Sequence, residues 1–323
     1  MIGVAIVGSG ELVARHLAAC RQAGGIDVLA VVEHGPGSAG QGSPWATDYR
    51  SLLSRDDVQA VDVCVPAGRL AELGLAAASA GKHVLVEQFL AASLDEADQL
   101  VAACRQAGVT LAALQPERRQ PLARGLKATV DEGKLGPLSF AHSVAIRSWP
   151  SAEQEAWRAW QTGPPDPGLS VAEQAIGALD LLRWLFGIPV AGVFARGCAL
   201  EGPGELPQYA SVVLRFADNA QAVCEVGRTG SLAAGTGLRR LALTGPRGSA
   251  YHDLRDADVV LGPAGVRPLR DDPVEGLAAA LADWVAGTGS GRDAGVEEAR
   301  ASLVLALAAA ESLRTGQPVE VGG

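Results

Sequence analysis

Met1-Ile2-Gly3-Val4-Ala5-Ile6-Val7-Gly8-Ser9-Gly10-Glu11-Leu12-Val13 opens the chain, and Ile26-Asp27-Val28-Leu29-Ala30-Val31-Val32-Glu33 follows after a helical pattern from Leu12 to Cys20. The apolar run Val4 to Val7 enters a glycine pair, Gly8 and Gly10, and the second apolar run ends in an acid. Two strand-length apolar runs on either side of a helical segment make one βαβ unit.

Each part of this unit has a physical job if a dinucleotide binds. Gly8 is expected to permit the tight turn out of the strand. Gly10 lets the backbone approach a pyrophosphate at the helix N-terminus, where open N–H groups and the helix dipole favour negative charge. Ser9, Glu11 and Leu12 complete that turn. Glu33 is placed to accept hydrogen bonds from the adenosine ribose, and an acid there repels a 2′-phosphate, so NAD is expected over NADP. His34 follows it, within reach of the adenine. Val13 stands where the fingerprint usually has its third glycine and crowds the helix against the strand.

The chain has 323 residues, which suits two domains rather than one core. Apolar residues at 48% and charged ones at 20% belong to a globular protein. With only six Trp, three Tyr and five Phe, its packing rests on Ala, Val and Leu. A formal net charge of −9 with no basic run argues against nucleic acid or an anionic membrane as partner. The opening apolar run lacks a basic flank and is only a strand long, so it does not read as a signal peptide. Leu303 to Ala310 is too short to span a bilayer. Cys20, Cys64, Cys104, Cys198 and Cys224 are scattered without a C-x-x-C pair, which fits a reducing cytoplasm and no metal site. Cys64 reads as a small buried hydrophobe.

Further along, strands at Val58 to Pro66, Val84 to Glu87 and Val109 to Leu114 alternate with helices at Leu70 to Ala80 and Ser93 to Ala107. Ser93 and Glu96 form a capping box, and Gly108 ends that helix. This alternation means an α/β fold with a doubly wound parallel (Rossmann) sheet, whose crevice lies at the strand C-terminal ends. Val65, Pro66 and Glu87 are therefore cofactor-side candidates. The character changes at Gln115-Pro116, giving expected domains of residues 1–115 and 116–323. The second begins with a helix from Pro121 to Glu132 and a strand from Leu138 to Arg147. A stiff loop carrying Trp149, Trp157, Trp160 and Gly163 to Gly168 comes next, then a helix from Val171 to Phe186. Strands at Val190 to Cys198, Tyr209 to Phe216, Ala220 to Val226, Arg239 to Thr244 and Gly248 to His252 imply an α+β domain with a mostly antiparallel open sheet. Helices at Val274 to Ala286 and Val296 to Thr315 close the chain.

The pattern resembles the Gfo/Idh/MocA family, the glucose-fructose oxidoreductase and inositol dehydrogenase group. The resemblance is carried by Gly8-Ser9-Gly10, by Ala80-Gly81-Lys82-His83-Val84-Leu85-Val86-Glu87 and by Arg118-Arg119-Gln120-Pro121. It continues through Lys134-Leu135-Gly136-Pro137-Leu138, Ala178-Leu179-Asp180-Leu181-Leu182-Arg183-Trp184-Leu185-Phe186-Gly187 and Gly316-Gln317-Pro318-Val319. It implies an N-terminal NAD(P)-binding domain, a C-terminal domain with an open sheet, hydride transfer at a sugar or polyol carbon, and a homodimer or homotetramer formed through that sheet.

Two departures stand at the chemistry. The family's Glu-Lys-Pro, whose lysine polarises the reacting oxygen, is Glu87-Gln88-Phe89 here. Its Asp-x-Gly-x-His, whose histidine is the acid/base, is Glu173-Gln174-Ala175-Ile176-Gly177. Oxidising an alcohol needs a group to take the hydroxyl proton, and neither Gln88 nor Gly177 titrates near neutral pH. Lys82 lies at the wrong end of its strand to substitute. Glu87 reads as a structural carboxylate holding the loop. Glu173, Gly177, Asp180 and Trp184 share one helical face. Glu173 is then either an acid/base group raised by burial or a surface remnant of the family's aspartate. Gly177 in place of a ring opens room for a bulkier substrate.

Trp149, Trp157 and Trp160 either line such a pocket or pin their loop. Arg118 and Arg147 either grip an acidic substrate or serve the fold. His16 is expected to face solvent, His83 to lie far from the crevice, His142 to be a satisfied histidine, and His252 to have no evident partner. The residues leave three functions open. One is a redox enzyme reducing C=N or an activated C=C. The second is a cyclase, lyase or isomerase on the same fold. The third is a non-catalytic sensor.

Overall fold

The computed structural model describes residues 1–8, 10–33, 49–148, 166–198, 208–229, 237–253, 256–261, 265–268, 273–287 and 295–322. They fall into two compact units.

The first unit holds 1–119 and 273–303. Its sheet comprises β1 (Ile2–Gly8), β2 (Ile26–Glu33), β3 (Ala60–Cys64), β4 (His83–Glu87) and β5 (Leu111–Leu114), in the order β2-β1-β3-β4-β5. Every pairing is parallel. Parallel strands are covered on both faces and so read as continuous apolar runs, as β3 and β5 do, with every residue buried. Their connections are α1 (Gly10–Ala23), α2 (Tyr49–Leu53), α3 (Ala67–Ser79) and α4 (Leu94–Ala107), and α5 (Pro116–Arg119) follows β5. The order reverses between β1 and β3, the switch point of such a sheet.

At α4 the Ser93 hydroxyl accepts from the Glu96 N–H at 3.2 Å, while the Glu96 carboxylate accepts from the Ala92 N–H at 3.1 Å. That second bond falls one residue earlier than in a standard capping box. A helix from the end of the chain, α8 (Pro273–Gly287), returns to this unit. Its Leu277, Leu281 and Trp284 are fully buried in one core with Val4, Ile6, Val13 and Cys20. The single boundary near residue 115 does not register that return.

The second unit holds 120–150, 165–272 and 304–323. It contains α6 (Pro121–Asp131), β6 (Phe140–Ser148), α7 (Pro167–Phe186), β7 (Val190–Cys198), β8 (Tyr209–Phe216), β9 (Gln221–Thr229), β10 (Gly237–Gly245) and β11 (Gly248–Asp253). After these come β12 (Asp256–Leu261), β13 (Gly265–Pro268) and β14 (Val319–Glu320). The helix α9 (Val296–Thr315) gives its first residues to the first unit and those from Val304 onward to the second. The sheet order is β13-β12-β11-β10-β6-β9-β8-β7-β14, antiparallel except for the central β6 and β9 pair.

Burial alternates along β8, with Ala210, Val212, Leu214 and Phe216 inward, as a sheet covered on one face requires. Phe186 of α7 stacks on Phe216 with ring centroids 4.0 Å apart. The helix α7 begins at Pro167, earlier than Val171. Asp166 caps it, its carboxylate accepting from the Gly168 and Leu169 N–H groups at 2.8 and 3.2 Å. Pro167 takes the first helical position, where its missing N–H costs nothing. The sequence pattern also missed the β12 and β13 hairpin.

Candidate functional site

The β1–α1 turn meets the switch point. Gly8 pairs with Glu33 of β2 and with Cys64 of β3. A Cβ on Gly8 would collide with the Cys64 carbonyl oxygen, so this glycine serves close packing of β1 on β3 rather than a special turn geometry. Gly10 is the residue in the left-handed region, at φ 68°, and nothing lies within 4 Å of where its Cβ would be. That open backbone at the start of α1 fits a dinucleotide phosphate. Leu12 is partly buried at the turn; Val65 is buried and Pro66 partly so at the end of β3. Ser9 and His34 lie outside the described residues, as do the side chains of Glu11 and Glu33.

Beneath the turn is a charged network. His16 has no solvent exposure, contrary to the sequence expectation. Its Nδ1 lies 2.7 Å from an Asp62 carboxylate oxygen and its Nε2 lies 2.7 Å from a Glu87 oxygen. Carboxylate oxygens only accept, so both ring nitrogens must donate, and the ring is an imidazolium. Burial is the largest single influence and opposes that charge, but the Asp62 carboxylate together with Cys64 outweighs it and holds His16 well above 6.5. Arg15 donates through one terminal nitrogen to both oxygens of Glu87, at 2.7 and 2.6 Å. Burial works against ionising Glu87, yet Arg15 and then His16 bring it down to about 2. Glu87 is thus a charged brace between α1 and the end of β4.

This brace sets the next residue. Gln88 has φ 60°, one of two non-glycine residues with positive φ among those described. Its N–H donates to the Leu114 carbonyl at 2.9 Å, and the Phe89 N–H turns back to the Glu87 carbonyl at 2.6 Å. The Gln88 side-chain amide donates to a carboxylate oxygen of Glu117 in α5. Strain of this kind costs about 1–2 kcal/mol and persists only where the surroundings enforce it.

His16, Asp62 and Cys64 place one ligand-type atom each within 4.8 Å of one another. The donor set does not fit a metal as it stands. Metal ligands must surrender protons, whereas His16 keeps both of its own, and burial, then Asp62, pushes the Cys64 thiol up to about 12.

Elsewhere in the first unit, Arg118 is buried and donates to Glu298 at 2.8 Å. Lys82 donates to the Arg55 carbonyl at 2.7 Å, and His83 Nδ1 accepts from the Thr110 N–H at 3.0 Å, both toward the far end of β4.

In the second unit, Gly177 and Asp180 are buried on α7 while Glu173 and Trp184 are partly buried. Asp180 lies 3.9 Å from Arg183, and Lys127 stands over the Trp184 ring at 5.8 Å. On the sheet, Glu225 accepts from the Tyr209 hydroxyl at 2.6 Å and lies 3.0 Å from His142, whose side chain is 40% exposed. Arg147 is exposed. Trp149, Trp157 and Trp160 fall outside the described residues, as does the His252 side chain.

The sequence reading missed Arg15, His16, Asp62 and Glu117 as parts of the site. Two signals were available. His16 stands three after Val13 and four before Cys20, on the apolar stripe of α1. Asp62 interrupts an apolar central strand, and a buried acid needs a partner.

Residues 2–114 match the family described as "Oxidoreductase family, NAD-binding Rossmann fold", and residues 123–251 match "GFO/IDH/MocA C-terminal domain". The uncharacterized oxidoreductase YrbE of Bacillus subtilis (strain 168) is 31% identical over 211 residues, covering 64% of this chain and 59% of that protein. Myo-inositol 2-dehydrogenase of Thermotoga maritima is 28% identical, covering 85% of this chain and 83% of that one. The chain spans 59%, 52% and 61% of the lengths of three curated relatives it matches. Scyllo-inositol dehydrogenase from Lactobacillus casei, solved with NAD(H) and scyllo-inositol, shares the fold with a TM-score of 0.75 at 21% identity, over 99% of both chains. No described helix is long and apolar enough to cross a membrane.

Proposed function

Because this chain belongs to the Gfo/Idh/MocA family of NAD-binding oxidoreductases, we propose that it is an NAD(P)-dependent enzyme of small-molecule metabolism with a non-standard active site. The observation that carries this reading is the pairing of an open, left-handed Gly10 at the head of α1 with a glutamine, Gln88, where the resembled family places its lysine.

When bound, the cofactor supplies or accepts a hydride. Gly8, Gly10 and Leu12 would hold its phosphates at the α1 N-terminus, with Val65 and Pro66 beside them at the end of β3. Glu33 at the end of β2 favours NAD over NADP by repelling a 2′-phosphate. Gln88 can orient an oxygen or nitrogen by hydrogen bonding but cannot exchange a proton, and Gly177 offers no side chain. Substrates that bring their own proton, or take one from water, suit this site: an imine, or an activated C=C. Where the proton comes from water, Glu173, partly buried on α7, is the carboxylate assigned to relaying it, with Asp180 on the same helical face.

The experiment is a screen of cyclic imines, enones and sugar ketones with NADH, following loss of nicotinamide absorbance, repeated with Glu173→Gln. Consumption of an imine or enone with at least a roughly tenfold loss in the variant supports the reading. Turnover of a sugar ketone alone contradicts the proposed substrate class, and unchanged turnover in the variant removes Glu173 from the mechanism.

A non-redox cyclase, lyase or isomerase, or a sensor, is the alternative, favoured by the two replaced proton-handling positions together. Cofactor retained without any consumption under that screen would select it. Cytoplasmic location fits cysteines that are scattered and form no disulfide among the described residues.

The open face of the nine-stranded sheet supports assembly as a homodimer or homotetramer. Register places Tyr251, Ala242, His142, Val223, Val213 and Phe194 in one row across it, and Tyr251 and Phe140 are 39% and 42% exposed. Sedimentation velocity of the chain tests this; a monomer at all concentrations contradicts it.

A further inference from the structure

The charges under the dinucleotide turn balance in one protonation state only. Arg15 and His16 on α1 are the cations, and Asp62 on β3 and Glu87 on β4 the anions, joined by contacts of 2.6 to 2.7 Å. His16 follows Gly10 by less than two helical turns, so at 1.5 Å per residue it lies roughly 9 Å along α1 from the N-terminus. Helical side chains lean toward that end, which brings the ring closer still.

Granted the cofactor reading, on which this rests, we propose that His16 is a positioning residue for the dinucleotide: its imidazolium keeps the floor of the phosphate site neutral and pins α1 to β3 and β4, so the chain binds its cofactor tightly only while His16 holds both protons.

Three observations carry this. First, each ring nitrogen faces a carboxylate on a different strand. One proton fewer sets a lone pair against an anion and weakens one of the two ties of α1 to the sheet. Asp62 has no solvent exposure, whereas Glu87 keeps Arg15 as a second partner, so the proton that leaves is the one facing Glu87. Second, the pyrophosphate of a dinucleotide is a dianion, and a floor that turns negative beneath it opposes binding. His16 is fully buried, so little water screens the change. Third, the groups around the ring hold their own states. Burial, then Asp62, pushes the thiols of Cys64 and Cys20 up to about 12. Glu87 is ionised above about 2, and Arg15, which feels Glu87 first and Glu117 of α5 more weakly, is held above its ordinary value. From β1 and α8, Val4, Ile6, Leu277 and Leu281 face the core on which α1 packs.

The test is fluorescence titration of the full-length chain with NADH and NADPH from about pH 6 to about pH 10, with circular dichroism at each pH. It compares the wild type, His16→Gln, and a double variant joining His16→Gln to Asp62→Asn. His16 gives up its proton well above 6.5, so the wild-type Kd for NADH should be flat near neutrality and rise roughly tenfold on the alkaline side, with a proton taken up on binding there. His16→Gln should bind about tenfold more weakly near neutral pH and lose the pH dependence. The double variant is balanced again without the histidine and should recover to within about threefold of the wild type, which a merely structural loss would not do. A wild-type Kd that stays flat without proton uptake overturns the inference. So does an alkaline rise that persists in His16→Gln, or a double variant no tighter than the single one. Should the variants fail to fold, the wild-type profile and its proton uptake, read by calorimetry in two buffers, decide alone. In each of these cases NADH still binds and the cofactor reading stands; a wild type that binds neither nucleotide at any pH overturns both.

Discussion

His16 and His142 each meet a carboxylate, and they teach opposite lessons. His16 is wholly buried in a parallel sheet, with Asp62 on one nitrogen and Glu87 on the other. His142 lies on an open sheet face, 40% exposed, with Glu225 at 3.0 Å. In the first setting there is no water to replace a lost partner, so every member is committed to its charge. In the second, solvent stands ready to replace any partner removed. The same residue types therefore make a structural brace in one unit and a surface cluster in the other.

The largest expected difference comes from truncation. His16→Ala leaves Asp62 and Glu87 facing each other without their shared cation, and should cost about 3–5 kcal/mol in urea unfolding. A cost below about 1 kcal/mol would mean that the imidazolium is not there. Replacing Arg15, His16, Asp62 and Glu87 together by apolar residues should cost less than the sum of the single changes, because no member of the network is then left without its partner.

The next effect is on pH. Glu87 is depressed from 4.5 to about 2, so its stabilisation is present above about 4.5 and fades as pH falls toward 2. The loss on that limb is on the order of 3 kcal/mol. His16 is raised well above 6.5, so its stabilisation is full below about 6.5 and declines as pH rises toward its folded value. Chemical unfolding across pH should show a plateau between about 4.5 and 6.5 with a fall on both sides. His16→Gln should abolish the alkaline fall, and a wild-type curve still rising above about pH 7 would contradict the assignment.

The smallest effect is expected on the open sheet. His142→Ala should change stability by no more than about 1 kcal/mol, measured in the same urea series. Tyr209, whose hydroxyl is pushed up to about 12 by burial and by Glu225, stays neutral at working pH, so it adds no charge to lose. A larger loss at His142 would show that this face is covered in solution, and would sharpen the case for assembly through it.

Much of the fold was legible because apolar continuity and apolar alternation are different patterns. Val4 to Val7 and Val84 to Val86 read as strands of a parallel sheet, and Tyr209 to Phe216 as a strand of a mostly antiparallel one. Less legible was anything that depended on a distant partner. His16 looked like a surface residue because Asp62 and Glu87 are 46 and 71 positions away. Asp166-Pro167 read as the end of a stiff loop, although its cap and first-turn chemistry began α7 there. The return of α8 to the first unit left no local mark. At the site, Gln88 could be read as standing where the resembled family carries a lysine, whereas its positive φ and its bond to Glu117 are seen only in the folded turn beside Glu87.

The central claim is an intact cofactor turn joined to replaced proton-handling positions. It is tested most directly by titrating the purified chain with NADH and NADPH under nicotinamide fluorescence, with mass spectrometry of any nucleotide released on denaturation. The account predicts binding of NADH in preference to NADPH, with Gly10→Val abolishing it. Absence of binding by either nucleotide, with none carried through purification, would contradict it.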